Sequence, residues 1–93
     1  MRVISNARLV EFTAKESQAS EPMQAWRKLM ESSSFQHFAA LRATFNTIDV
    51  AGEFHVFDIG GNKWRIVAFL HFPAQLCYIK HVMTHKEYDK WKP

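Results

Sequence analysis

Phe54-His55-Val56-Phe57-Asp58-Ile59-Gly60-Gly61-Asn62-Lys63-Trp64-Arg65-Ile66-Val67-Ala68-Phe69-Leu70-His71-Phe72 is the stretch on which the fold turns. Phe54–Ile59 reads as a strand, and Lys63–Phe72 as a second, rich in β-branched and aromatic residues. Gly60-Gly61-Asn62 reads as the hairpin turn between them, since glycine tolerates the positive φ that such turns demand. Phe72-Pro73-Ala74-Gln75 then turns the chain, and Leu76–Met83 makes a third strand. Thr84 is placed to N-cap a short last helix, with Glu87 three residues on as in a capping box.

Upstream the period is helical. Met1–Ser5 is a short strand candidate, and Asn6 a cap for a helix from Ala7 to about Lys15 with Leu9, Val10 and Phe12 on its apolar side. After a polar break at Ser17–Ser20, Ser20 reads as the cap of a second helix with Pro22 in its first turn. Met23, Trp26, Leu29 and Met30 then share one face. Ser32-Ser33-Ser34 ends it, and Phe35, Phe38, Leu41, Arg42 and Phe45 suggest a short third helix or helical turn. Helices followed by a block of strands predict an α+β domain in two layers spanning residues 1–93, with a mainly antiparallel sheet.

Side chains alternate along a strand. Trp64, Ile66, Ala68, Leu70 and Phe72 form a wholly apolar set that should lie on the helices. Lys63, Arg65, Val67, Phe69 and His71 form the other face. On the next strand Leu76, Tyr78, Lys80 and Val82 oppose Cys77, Ile79, His81 and Met83. The second face of the sheet should therefore carry Arg65 and Lys63, with His55 or Lys80 beside them.

A hydrophobic content of 47% with 14% aromatics suffices for a packed core and argues against disorder. One cysteine, Cys77, excludes an internal disulfide framework, and its apolar strand makes it a buried small hydrophobe. Met1–Asn6 lacks the apolar run of a signal peptide, and Ile66–Leu70 is far too short to span a bilayer. A cytoplasmic protein with no membrane partner is expected. Through Asp58 the chain carries six Lys/Arg and seven acids; from Ile59 onward it carries six Lys/Arg and two acids. The halves are thus −1 and +4, which points to a polyanionic partner reached through the C-terminal part.

Cations, imidazoles and a phenol on one small sheet suit the binding of a phosphodiester chain, and its cutting. Each has an ordinary alternative. Arg65 is either a salt-bridged surface residue or a phosphate ligand, and Tyr88 either packs or presents its phenol to a ligand. Asn62 is a turn residue or a base or phosphate contact. His81 and His85 are four apart, but no third ligand accompanies them, so neither a metal nor another cofactor is expected.

The strings Val56–Ala68 and Cys77–Lys90, with their Gly-Gly-Asn-x-x-Arg and Thr-His-x-x-Tyr-Asp elements, resemble the HigB-type toxins of bacterial toxin–antitoxin systems, within the RelE-like superfamily. The resemblance covers over a third of the chain; the N-terminal helical part matches only in size and order. It implies a RelE-like fold: N-terminal helices packed on a small antiparallel sheet. It implies a metal-independent mRNA interferase acting in the A site of the 70S ribosome, by attack of a ribose 2′-hydroxyl on the adjacent phosphate. It also implies a HigA-type helix-turn-helix antitoxin as partner. Carried over by residue, Arg65 would stabilise charge on the phosphate, and His85 and Tyr88 would move protons. Lys63, Lys80 and Lys86, with Asn62, would hold the RNA. The competing reading is a non-catalytic module that binds RNA or a protein through the same basic sheet.

Overall fold

A three-residue strand opens the chain in the computed structural model, which describes residues 1–93. The order is β1 (Arg2–Ile4), α1 (Asn6–Lys15), a 3-10 turn (Ser17–Ala19), α2 (Ser20–Glu31), α3 (Phe38–Thr44), β2 (Asp49–Ala51), β3 (Phe54–Ile59), β4 (Trp64–His71), β5 (Leu76–Thr84) and α4 (His85–Lys90). The sheet has five strands in the order β1-β5-β4-β3-β2. β1 runs parallel to β5, and every other pair is antiparallel. The α+β class and the central β3-β4-β5 meander match the sequence reading.

The sheet extends beyond the meander at both edges. β2 lies between Phe45 and Phe54, where the sequence suggests no strand, because three residues that include an exposed Val50 carry no period to detect. At the other edge β1 pairs Arg2, Val3 and Ile4 with Leu76, Cys77 and Tyr78. Two caps also differ. Ser5, at φ 76°, precedes α1 without a side-chain bond, and Asn6 is already helical with its Oδ1 lacking a partner. The 3-10 turn carries directly into α2, so Ala19 takes the cap position read for Ser20.

Met23, Trp26 and Met30 of α2 are buried, whereas Leu29 is 42% exposed and leaves the expected stripe. The buried three join Leu9, Leu41, Phe57, Ile66, Ala68 and Ile79 in the principal core between the helices and one face of the sheet. Phe57 receives Trp26 and Phe45 edge-on at 5.1 and 5.2 Å, a geometry that favours ring edges on ring faces. Val56, Val67 and Met83 form a second, small cluster on the opposite face.

Alternation holds along β4 but breaks in β5. The β4–β5 register jumps from Val67↔His81 to Ala68↔Ile79, which leaves Lys80 unpaired in a bulge. An extra residue inverts the facing of everything after it. Val82 therefore packs on the principal core, while His81 pairs with Val67 and Met83 joins the second cluster. His55, considered for the open face, lies on the helix side against Phe38 and Phe72.

Burial holds the His55 imidazole below its ordinary 6.5. Between that value and the lower folded one, the unfolded chain binds the extra proton, so stability falls as pH drops through the window. Urea midpoints taken from about pH 7 down to about pH 5 should decline in the wild type and decline less in His55→Phe. Burial also pushes the Cys77 thiol up to about 12. It should resist iodoacetamide in the native protein and react readily in urea; equal labelling in both would contradict the packing.

Candidate active site

The open face of the sheet is organised by one buried cation. Arg65 stands opposite Asp58 across the β3–β4 ladder and is only 7% exposed. A buried guanidinium requires acceptors, and five are supplied. Nη1 donates to Asp58 Oδ1 at 3.4 Å, to the Asn62 carbonyl at 3.2 Å and to the Trp64 carbonyl at 3.1 Å. Nη2 donates to Asn62 Oδ1 and to His85 Nδ1 at 2.8 Å.

The turn makes this possible. Gly60, Gly61 and Asn62 all have positive φ, at 67°, 62° and 79°. At Gly60 a Cβ would lie 2.4 Å from the Trp64 ring, so the position admits only glycine. The left-handed turn brings both the carbonyl and the side chain of Asn62 onto Arg65. Asn62 thus combines its expected turn role with a contact to the arginine.

α4 closes the other side. Thr84 Oγ1 accepts from the Glu87 amide at 3.2 Å, and Glu87 Oε1 accepts from the Thr84 amide at 2.8 Å, completing the capping box. The His85 amide donates to the Lys63 carbonyl at 3.0 Å, tying the start of the helix to the β3–β4 turn. A guanidinium only donates, so His85 Nδ1 accepts and the ring proton sits on Nε2. That nitrogen faces Asp89 Oδ2 at 3.4 Å. One turn along α4, the Tyr88 ring lies 5.4 Å from the Arg65 guanidinium carbon.

The structure therefore brings together Arg65, His85, Tyr88 and Asn62. Lys63 is exposed in the turn, with its ammonium 5.6 Å from the Trp64 ring. Lys86 is exposed on the first turn of α4. Lys80 stands apart from this cluster, exposed in the β5 bulge and 5.7 Å from the Tyr78 ring. Asp58, Asp89 and Trp91 were not singled out from the sequence. Asp58 was legible, since pairing across the turn sets it opposite Arg65. Asp89 lies one turn beyond His85, while Trp91 is the residue that ends α4. No group of three or more His, Cys, Asp and Glu side chains is arranged to hold a metal ion. His81 and His85 have separate surroundings, the former against Phe54 and Trp91 and the latter on Arg65.

The family model for HigB toxin, a RelE-like toxic component of a toxin–antitoxin system, matches residues 19–91. The mRNA interferase toxin HigB of Escherichia coli K12 is 35% identical over 92 residues, which cover 96% of this chain and 88% of that protein. The mRNA interferase HigB of Shigella flexneri matches at the same identity and coverage. The mRNA interferase HigB of Escherichia coli O6:H1 is 27% identical over 93 residues, 97% of this chain and 90% of that protein. The chain belongs to the HigB family of RelE-like toxins.

α4 presents both His85 and Tyr88 yet buries no residue of its own, so its capping box should carry much of its order. Thr84→Ala is expected to cost α4 about 1 kcal/mol. Amide exchange of residues 85–90 should then quicken while that of β3 and β4 stays unchanged.

Proposed function

We propose that this member of the family is a metal-independent mRNA interferase, the toxin half of a type II toxin–antitoxin pair, with residues 1–93 as a single toxin domain. Its substrate is messenger RNA in the A site of the 70S ribosome, and its partner is a HigA-type helix-turn-helix antitoxin. It acts in the cytoplasm, where messages are translated. The names of the relatives support the activity. The observation that carries the reading is the juxtaposition of a buried guanidinium, an imidazole 2.8 Å from it and a phenol ring beneath it.

Cleavage needs positive charge where the phosphate oxygens gain negative charge, and two groups to move protons. A phosphate entering over Arg65 replaces His85 Nδ1 as acceptor for Nη2. The released Nδ1 lone pair takes the 2′-hydroxyl proton as the 2′-oxygen bonds to phosphorus. The bond from phosphorus to the 5′-oxygen breaks, and the Tyr88 phenol gives its proton to that leaving oxygen. The products are a 2′,3′-cyclic phosphate and a 5′-hydroxyl. Lys63, Lys80, Lys86 and Asn62 hold the flanking RNA, where each exposed cation neutralises a phosphate.

The alternative is a non-catalytic module that binds RNA or protein through this face. It is favoured by one observation: both terminal nitrogens of Arg65 already have internal acceptors. The two readings separate on substitution. Wild type induced without antitoxin should arrest growth and leave in-frame cuts in translated messages, whereas folded Arg65→Ala should do neither. In a pure binder, Arg65→Ala, Lys80→Ala and Lys86→Ala would instead each weaken binding by similar steps and lower its salt dependence. Removing a buried cation leaves Asp58 unpaired and costs about 3–5 kcal/mol, so circular dichroism must accompany the growth assay. A harmless wild type that leaves messages whole would overturn the interferase reading.

A further inference from the structure

Aromatic rings continue outward from Arg65 across the open face. Tyr88 stacks on Trp91 with centroids 6.0 Å apart and planes 23° from parallel. Trp91 meets His81 at 5.7 Å and Phe54 at 6.0 Å, and Phe54 meets His81 edge-on at 6.4 Å. These rings are not sealed in a core: His81 is exposed, and Phe54, Tyr88 and Trp91 are half-buried. Two adjoining depressions of about 510 Å³ and about 400 Å³ flank them and share Arg8, Lys80 and His81 as walls. Phe54 and Phe69 line the first, and Trp91 and Met83 the second.

The bulge creates this groove. Without the extra residue at Lys80, alternation would turn His81 toward the helices and leave Val82 outside. With it, an imidazole faces the rings and an exposed lysine stands at the rim. Arg8, on α1, supplies a second cation from beyond β5, and Lys90 a third from α4; Glu53 and Glu87 are the acids on the two linings. Partly exposed rings between cations match an unpaired polynucleotide, whose bases stack while its phosphates seek positive charge. A duplex would hide the faces that these rings require.

We propose that Arg8, Phe54, Phe69, Lys80, His81 and Trp91 form a subsite for unpaired nucleotides adjoining the phosphate held at Arg65. Bases stack on Trp91 and His81, and Arg8 and Lys80 receive the backbone between them. This rests on the interferase reading and assigns it a binding track beyond the reacting groups. The track favours messages that are single-stranded beside the cut.

Single-turnover cleavage of an mRNA on programmed 70S ribosomes tests the proposal, with Trp91→Leu, Arg8→Gln and Arg65→Gln compared with wild type. Trp91→Leu and Arg8→Gln should each raise the half-saturating toxin concentration about tenfold, equivalent to ~1.4 kcal/mol, with little change in the plateau rate. Arg65→Gln should lower the plateau instead. Abasic replacement of the nucleotide on either side of the cut locates the stack. At one of these positions the loss should match that of Trp91→Leu, and the two changes together should cost no more than one alone. Additive losses at both positions, or an unchanged Trp91→Leu half-saturation, overturn the subsite while leaving the interferase reading intact. Wild type that cuts neither ribosome-bound nor free mRNA overturns both.

Discussion

Burying a guanidinium on the exposed side of a small sheet is the constraint around which this molecule is arranged. A cation removed from water needs an acceptor for each terminal nitrogen, and each element near Arg65 contributes at least one. β3 contributes Asp58, the left-handed turn contributes both groups of Asn62, and α4 contributes His85. The turn glycines, the capping box and the β3–β4 register all converge on this one side chain. The arrangement fixes the charge in position before any ligand arrives, which is what electrostatic stabilisation of a reacting phosphate requires.

The two faces of the sheet divide the work. The helical face holds eighteen core residues, including the large side chains that make the chain a stable body. The open face holds only Val56, Val67 and Met83, packed by Tyr88 and Trp91, and leaves rings and cations near the surface. Stability is concentrated on one side so that polar groups can be positioned on the other. The β5 bulge enforces the division at its far end, since it keeps Val82 in the core and returns His81 to the open face.

Much of this was legible from residue order, and the failures have physical causes. Strands β3, β4 and β5 each run six residues or more with clear apolar character, and α4 carries an explicit Thr-x-x-Glu cap. β2 has three residues and no buried side chain, so it exists only through pairing with β3. The facing of His81 and Val82 was misread because strict alternation cannot foresee a bulge. Arg65, His85 and Tyr88 were chosen from residue chemistry and resemblance, and they do adjoin one another. Their internal bonding, including the occupied state of the guanidinium, depends on a three-dimensional turn that spacing alone does not describe. Arg8 was missed for a related reason: only the packing of α1 beside β5 brings it to the groove.

The central claim is that this arrangement moves the proton of a ribose 2′-hydroxyl. The most direct test is cleavage of a ribosome-bound message carrying a single 2′-deoxynucleotide immediately 5′ of the cut phosphate, with the ends of the all-ribose products identified by mass. The account predicts no cleavage at the substituted position, and a 2′,3′-cyclic phosphate with a 5′-hydroxyl from the unmodified message. Cutting that survives the deoxy substitution, or ends bearing a 3′-hydroxyl and a 5′-phosphate, would show that water is the nucleophile and contradict the roles given to Arg65, His85 and Tyr88.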